Sequence, residues 1–189
     1  MNRKSLLLFF LTLVLILIFI LAQDESDADV QIYKSNIMGT SYSVTIHSKV
    51  DSQNAFFQVS NILNEINQDM STYIDNSLIS RVNQSEIGQW TKVSKDFIEV
   101  LNYAIEICNQ SKGIYDVSIG KLVNLWGFGP DNVNSKPSKE NINYLTSQVG
   151  CDSVQTNVDS QSVRKVRDVE LDFSSIAKGF AIDKVYEFL

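Results

Sequence analysis

Two cations, Arg3 and Lys4, stand before an uncharged run from Leu6 to Ala22 built almost wholly from Leu, Ile, Phe and Val. A buried core helix seldom opens a chain behind two cations, so the run reads as a segment addressed to a membrane. Its length lies at the short end of a bilayer span, about 17–25 residues, and slightly beyond a signal-peptide core, about 7–15 residues. Gln23, Asp24 and Glu25 then restore polar chemistry. The basic flank before the run and the acidic segment after it predict a cytoplasmic N-terminus and an exported remainder. Ile20-Leu21-Ala22 is a mediocre peptidase site, because Ile20 stands where a small residue is wanted. A retained anchor and a cleaved signal therefore both stay open. No Cys follows the run to accept lipid, which excludes lipoprotein processing. The expected organisation is residues 1–22 as anchor or signal, 23–35 as an acidic linker, and 36–189 as one domain.

The formal net charge of −6 sets a field that repels nucleic acid, and Arg164, Lys165 and Arg167 are the one basic cluster. Hydrophobic residues at 44% and charged residues at 20% are an ordinary globular balance. The two cysteines, Cys108 and Cys151, could pair outside the cytoplasm. Cys108, however, falls on the apolar face of a predicted helix, where cysteine commonly acts as a small hydrophobe. The expectation is two unpaired, buried cysteines. With no CxxC and a single histidine, His47, no metal-ligand spacing involves them.

Along the exported part, Tyr42, Val44 and Ile46 alternate with Ser41, Ser43, Thr45 and His47, the pattern of a half-buried strand. Phe56, Val59, Leu63, Ile66 and Met70 recur at helical spacing, with Asp51 or Ser52 as cap. Ser94 caps a second helix carrying Phe97, Ile98, Leu101, Ala104, Ile105 and Cys108, and Gly113 sits where a left-handed end belongs. Gly127, Gly129, Pro130 and Pro137 mark a loop after a short helix that is expected to pack Leu122 and Trp126 into the core. A third long helix starts near Ser138. Ser153–Val158, Val163–Val166 and Val169–Phe173 read as short strands. A last helix, from Ser175, carries Ile176, Phe180 and Val185. The strands are few for a closed sheet, and the domain is expected to be incomplete at its C-terminal end.

The most informative stretch runs from Asp172 to Phe180. A strand ends and a helix begins there, and a helix N-terminus offers free N–H groups and partial positive charge, a ready anion site. Lys178 adds a full charge one turn in, and Asp172 could accept hydrogen bonds from a nucleotide. The bland reading is that Asp172 and Ser174 only cap a helix and Lys178 is solvated. Gly113-Ile114-Tyr115-Asp116 puts an aromatic beside an acid after a glycine turn, able to stack a flat ring or simply to begin an edge strand. Met38-Gly39-Thr40 and Met70-Ser71-Thr72-Tyr73 lie at element ends, where cleft walls are usually found. His47, on an exposed strand face, is given no role.

These segments, with Ser80-Arg81-Val82-Asn83 and Leu122–Pro130, occur in the order and approximate spacing of the ApbE family, which residues 36–189 resemble. The resemblance implies an α+β fold of antiparallel sheets with packed helices. It implies an FAD:protein FMN transferase, in which a threonine or serine hydroxyl of an acceptor protein attacks the FMN phosphorus of FAD and AMP leaves. By resemblance Met38, Tyr73, Ile114, Tyr115, Asp116, Asp172 and Lys178 would contact FAD, and Ser175 would help hold Mg2+. Ile114 departs from the family's usual alanine. The implied acceptors are exported flavoprotein subunits of membrane redox pumps. The expected location is the bacterial inner membrane facing the periplasm, or the periplasm itself. Two other readings of the same residues are an FAD-binding module without transfer, and an FAD pyrophosphatase giving FMN and AMP.

Overall fold

Ser41 to His47 offer one apolar and one polar face, so they need a partner strand and a core to cover them. Both are present in the computed structural model, which describes residues 10, 12–18, 30–47, 52–131 and 136–189. β1 (Val30–Ile37) and β2 (Thr40–His47) form an antiparallel hairpin, with Val30 opposite His47 and Ile37 opposite Thr40. Val44 is buried and Tyr42 and Ile46 half-buried, while Ser41, Ser43, Thr45 and His47 are exposed. β1 corrects the expected 23–35 linker, because residues 30–35 are strand. Gln31, Lys34, Ser35 and Asn36 hide the strand in the sequence; pairing with β2 satisfies its backbone and decides the outcome. The expected anchor or signal, residues 1–22, lies mostly outside the described residues, as does 23–29. Residues 10 and 12–18 are helical and exposed. Among the described residues no helix is long and apolar enough to cross a membrane.

α1 (Ser52–Met70) buries Val59, Leu63, Ile66 and Met70 along one stripe. Its half-buried Phe56 stacks on Tyr33 of β1, ring centroids 4.5 Å apart and planes 13° from parallel, which fixes the hairpin to the helix. α2 (Leu78–Gln84) is capped by Ser77, whose Oγ accepts from the Ser80 N–H at 3.1 Å. After β3 (Thr91–Lys92), α3 (Lys95–Gln110) starts at the expected cap, with Ser94 Oγ accepting from the Phe97 N–H at 3.0 Å. Gly113 ends it at φ +81°, as a left-handed terminus requires. α4 (Gly120–Leu125) and α5 (Lys139–Gln148) lead to β4 (Val154–Asn157), β5 (Ser162–Lys165) and α6 (Ala177–Phe188). The second sheet is antiparallel in the order β3-β5-β4.

The core gathers α1, α3, Val163 of β5 and the segment before α6, where Phe97 and Phe173 meet with centroids 5.0 Å apart. Truncating either fully buried phenylalanine would cost about 3–5 kcal/mol. The architecture is α+β with antiparallel strands, as expected.

Three further expectations are corrected. Val169–Phe173 is no ladder strand: Glu170 forms only an isolated parallel bridge with Ile119. Its neighbours are held one by one, Asp172 N–H by Val117 O at 2.8 Å and Leu171 by the Asn83 side chain. Trp126 is 52% exposed and Leu122, on the same helix face, only half-buried rather than core; the short α4 buries Gly120 alone. Cys108 and Cys151 form a disulfide, Cα atoms 5.6 Å apart. Cys108 is buried as expected, but the turn at Gly150–Asp152 passes the end of α3 and supplies the partner.

Candidate functional site

Two neighbouring clefts share Thr72 in their walls. The larger, about 650 Å³, lies where the β1–β2 turn, the end of α1 and the start of α6 converge. The turn is a two-residue hairpin loop with Met38 at φ +51° and Gly39 at φ +71°. Positive φ at both central positions is the type I′ arrangement, which suits glycine and strains methionine. Met38 is held there nonetheless, and it lines the cleft. Tyr73 follows the helix end, 64% exposed, and its hydroxyl donates to the Phe128 carbonyl at 3.0 Å.

Opposite stand Ser174 and Lys178. No side chain caps α6; the Ala177 N–H is taken by the Phe173 carbonyl at 2.8 Å and the Phe180 N–H by the Ile176 carbonyl at 3.1 Å, while Lys178 in the same turn lines the cleft. Asp172 realises part of the bland reading: its Oδ1 accepts from the Ser174 N–H at 2.7 Å and shapes the entry to the helix. It is nevertheless a wall of the second cleft, about 360 Å³, together with Asp75, Asn83, Asp131 and Glu170. Burial pushes the Glu170 carboxyl above its ordinary range, against the pull of Lys121. Asn124 Nδ2 donates to Glu170 Oε2 at 3.2 Å.

The structure thus brings Met38, Tyr73 and Lys178 to one cleft and Asp172 to the adjoining one. Tyr115 stands behind them, its hydroxyl 3.2 Å from Ser175 Oγ, where it braces the start of α6. Asp116 is turned away: its Oδ1 accepts from both the N–H and the hydroxyl of Ser118, which in turn receives the Gly150 N–H. Ile114 is 92% exposed, and neither it nor Asp116 lines either cleft. Among the described residues no group of three or more His, Cys, Asp or Glu side chains is placed to hold a metal ion.

Two cleft residues lie in family-like segments of the sequence but carry no role there. Phe128 lines the larger cleft and is 77% exposed. An aromatic between two glycines was its signal, overshadowed by the expectation of core packing. Asn83 lines the smaller cleft and grips Leu171 with both ends of its amide, Nδ2 to the Leu171 carbonyl at 2.9 Å and the Leu171 N–H to Oδ1 at 2.7 Å. Nothing local in the sequence marks a partner so remote in the chain.

The sequence profile of the ApbE family matches residues 38–189. The chain is 35% identical over 178 residues to the FAD:protein FMN transferase of Haemophilus influenzae, covering 89% of this chain and 51% of that one. It is 31% identical to the FAD:protein FMN transferase of Vibrio cholerae, over 91% of this chain and 52% of the relative. The solved structure of the flavin transferase ApbE from Vibrio cholerae superposes with a TM-score of 0.77 at 30% identity, over 85% of this chain and 53% of that one. The chain spans about half the length of the curated relatives it matches.

Proposed function

The chain belongs to the ApbE family, and on that premise we propose that it forms the FAD-binding part of an FAD:protein FMN transferase. In the reaction, a threonine or serine oxygen of an exported flavoprotein subunit forms a bond to the FMN phosphorus of FAD. The bond from that phosphorus to the bridging oxygen breaks, AMP leaves with that oxygen, and the acceptor hydroxyl's proton passes to solvent or to the departing AMP.

One observation carries this reading. A cleft of about 650 Å³ combines apolar and aromatic walls, Met38 and Tyr73, with a cation and an uncapped helix start, Lys178 and α6. That pairing suits a ligand with flat rings joined by a diphosphate. Lys178 and the α6 N–H groups would steady charge on the diphosphate as the P–O bonds exchange. Asp172 would accept from the nucleotide's hydroxyls or ring N–H. Tyr115, through Ser175, would keep the helix start in place, and Ile114 and Asp116 would shape the turn behind it.

Magnesium bound at the diphosphate would neutralise its charge. The described residues do not fit a complete site for it: among them no three His, Cys, Asp or Glu side chains converge to join Ser175, whereas octahedral magnesium takes six ligands. The ion is therefore assigned no step. We further place the protein at the bacterial inner membrane facing the periplasm, or in the periplasm. The Leu6–Ala22 run and the Cys108–Cys151 disulfide, a bond of oxidising compartments, support that placement.

The test is titration of the chain with FAD, followed by flavin fluorescence, in wild type and Lys178→Ala. Saturable binding is expected, and the substitution should weaken FAD more than riboflavin, which lacks the diphosphate. A folded chain that binds neither ligand would refute the reading, and equal losses for both would remove Lys178 from the diphosphate.

A further inference from the structure

The end of α4 closes as a Schellman motif: the Gly127 N–H donates to Asn124 O at 2.9 Å and the Phe128 N–H to Val123 O at 3.0 Å. Gly127 takes φ +77°, the left-handed position the motif needs. The residue after that glycine ordinarily folds its apolar side chain back onto the last turn of its helix. Phe128 instead remains 77% exposed and walls the larger cleft. A Cβ at Gly129 would lie 1.6 Å from Asn124 Oδ1, so any other residue there would have to displace the Asn124 side chain. On the other side the Tyr73 hydroxyl holds the Phe128 carbonyl at 3.0 Å. A large apolar ring thus walls a cleft, its own backbone carbonyl tied to the hydroxyl of a second exposed ring, and the described residues leave it largely uncovered.

We propose that Phe128 is a ring-binding residue of the cleft, stacking on a planar heteroaromatic ring of FAD against which Tyr73 forms the neighbouring wall. The inference rests on the FAD-binding reading above and adds a residue that sets affinity for the ring rather than for the diphosphate. Base–aromatic stacking is lost on alanine substitution to the extent of about five- to 150-fold in affinity.

The experiment titrates FAD, riboflavin and AMP into the full chain as wild type, Phe128→Ala and Phe128→Trp. Circular dichroism and the unfolding midpoint check that each variant folds, as expected for an exposed position. Phe128→Ala should weaken FAD about tenfold or more, and Phe128→Trp should stay within about threefold of wild type. A parallel loss confined to riboflavin assigns the isoalloxazine ring, and one confined to AMP assigns adenine; either supports the proposal. Unchanged FAD affinity in a folded Phe128→Ala overturns it while leaving the FAD reading intact. A wild-type chain that binds no FAD overturns both.

Discussion

Opening the Cys108–Cys151 bond releases a loop whose ends are 43 residues apart in sequence. In the chain-entropy treatment the bond restricts the unfolded chain, and for that separation its loss costs about 4 kcal/mol at 25 °C. Native domains are stable by only about 5–15 kcal/mol, so this is a large share. With a urea dependence of about 2 kcal/mol/M, the midpoint should fall by about 2 M. The assay is urea unfolding followed by circular dichroism, oxidised and after reduction, with thiol titration confirming zero and two free thiols. Cys108→Ser with Cys151→Ser should match the reduced chain or fall slightly below it, since Cys108 is only 1% exposed and the new hydroxyl would be buried. The urea slope should rise as the bond is lost, because the unlinked unfolded chain exposes more surface. Coincident oxidised and reduced curves, with thiol counts as stated, would refute the reasoning.

Two other groups carry measurable predictions. Asn83→Ala leaves both backbone polar groups of the fully buried Leu171 without their partner, which should cost about 2–5 kcal/mol. Asn83→Asp should not rescue it, because an oxygen would then face the Leu171 carbonyl; a urea midpoint within error of wild type for either variant would contradict the pairing. Burial raises the Glu170 carboxyl above its ordinary value, so this group favours the folded state below the unfolded pKa and loses that effect as pH rises through the folded one. Glu170→Gln, still able to accept from Asn124, should therefore stabilise the chain at neutral pH and lose its advantage in acid. A stability difference that does not change with pH would show that burial of the charge is not the cause.

Legibility in the sequence tracked the range of the interactions involved. Periodicity and capping residues act within a few positions, so Ser94, Ser138, Gly113 and the β2 alternation announced their elements, and the structure places them as read. The α+β class came from the family resemblance, and the antiparallel sheets with packed helices bear it out. β1 was missed because half of its residues are polar, three of them in a row at Lys34–Asn36, and its existence depends on β2. The expected strand at Val169–Phe173 is extended chain satisfied by Val117, Ile119 and Asn83 rather than by another strand, a distinction period-two alternation cannot make.

The candidate site divides along the same line. The motifs around Met38, Tyr73, Asp172 and Lys178 were visible as loop ends and a helix start, because those residue types carry their chemistry in any context. Their assembly was not visible: Tyr73 meets Phe128, Tyr115 meets Ser175, and Cys108 meets Cys151 only in the folded chain, across separations of 43 to 60 residues. The sequence by itself determined the capped and periodic elements, the acidic field and the uncharged Leu6–Ala22 run, all set by neighbours along the chain. Tertiary structure alone decided the disulfide, the turning of Asp116 away from the clefts and the exposure of Phe128 within one. Each of these depends on which distant surfaces bury apolar area together, and that free energy has no local signature.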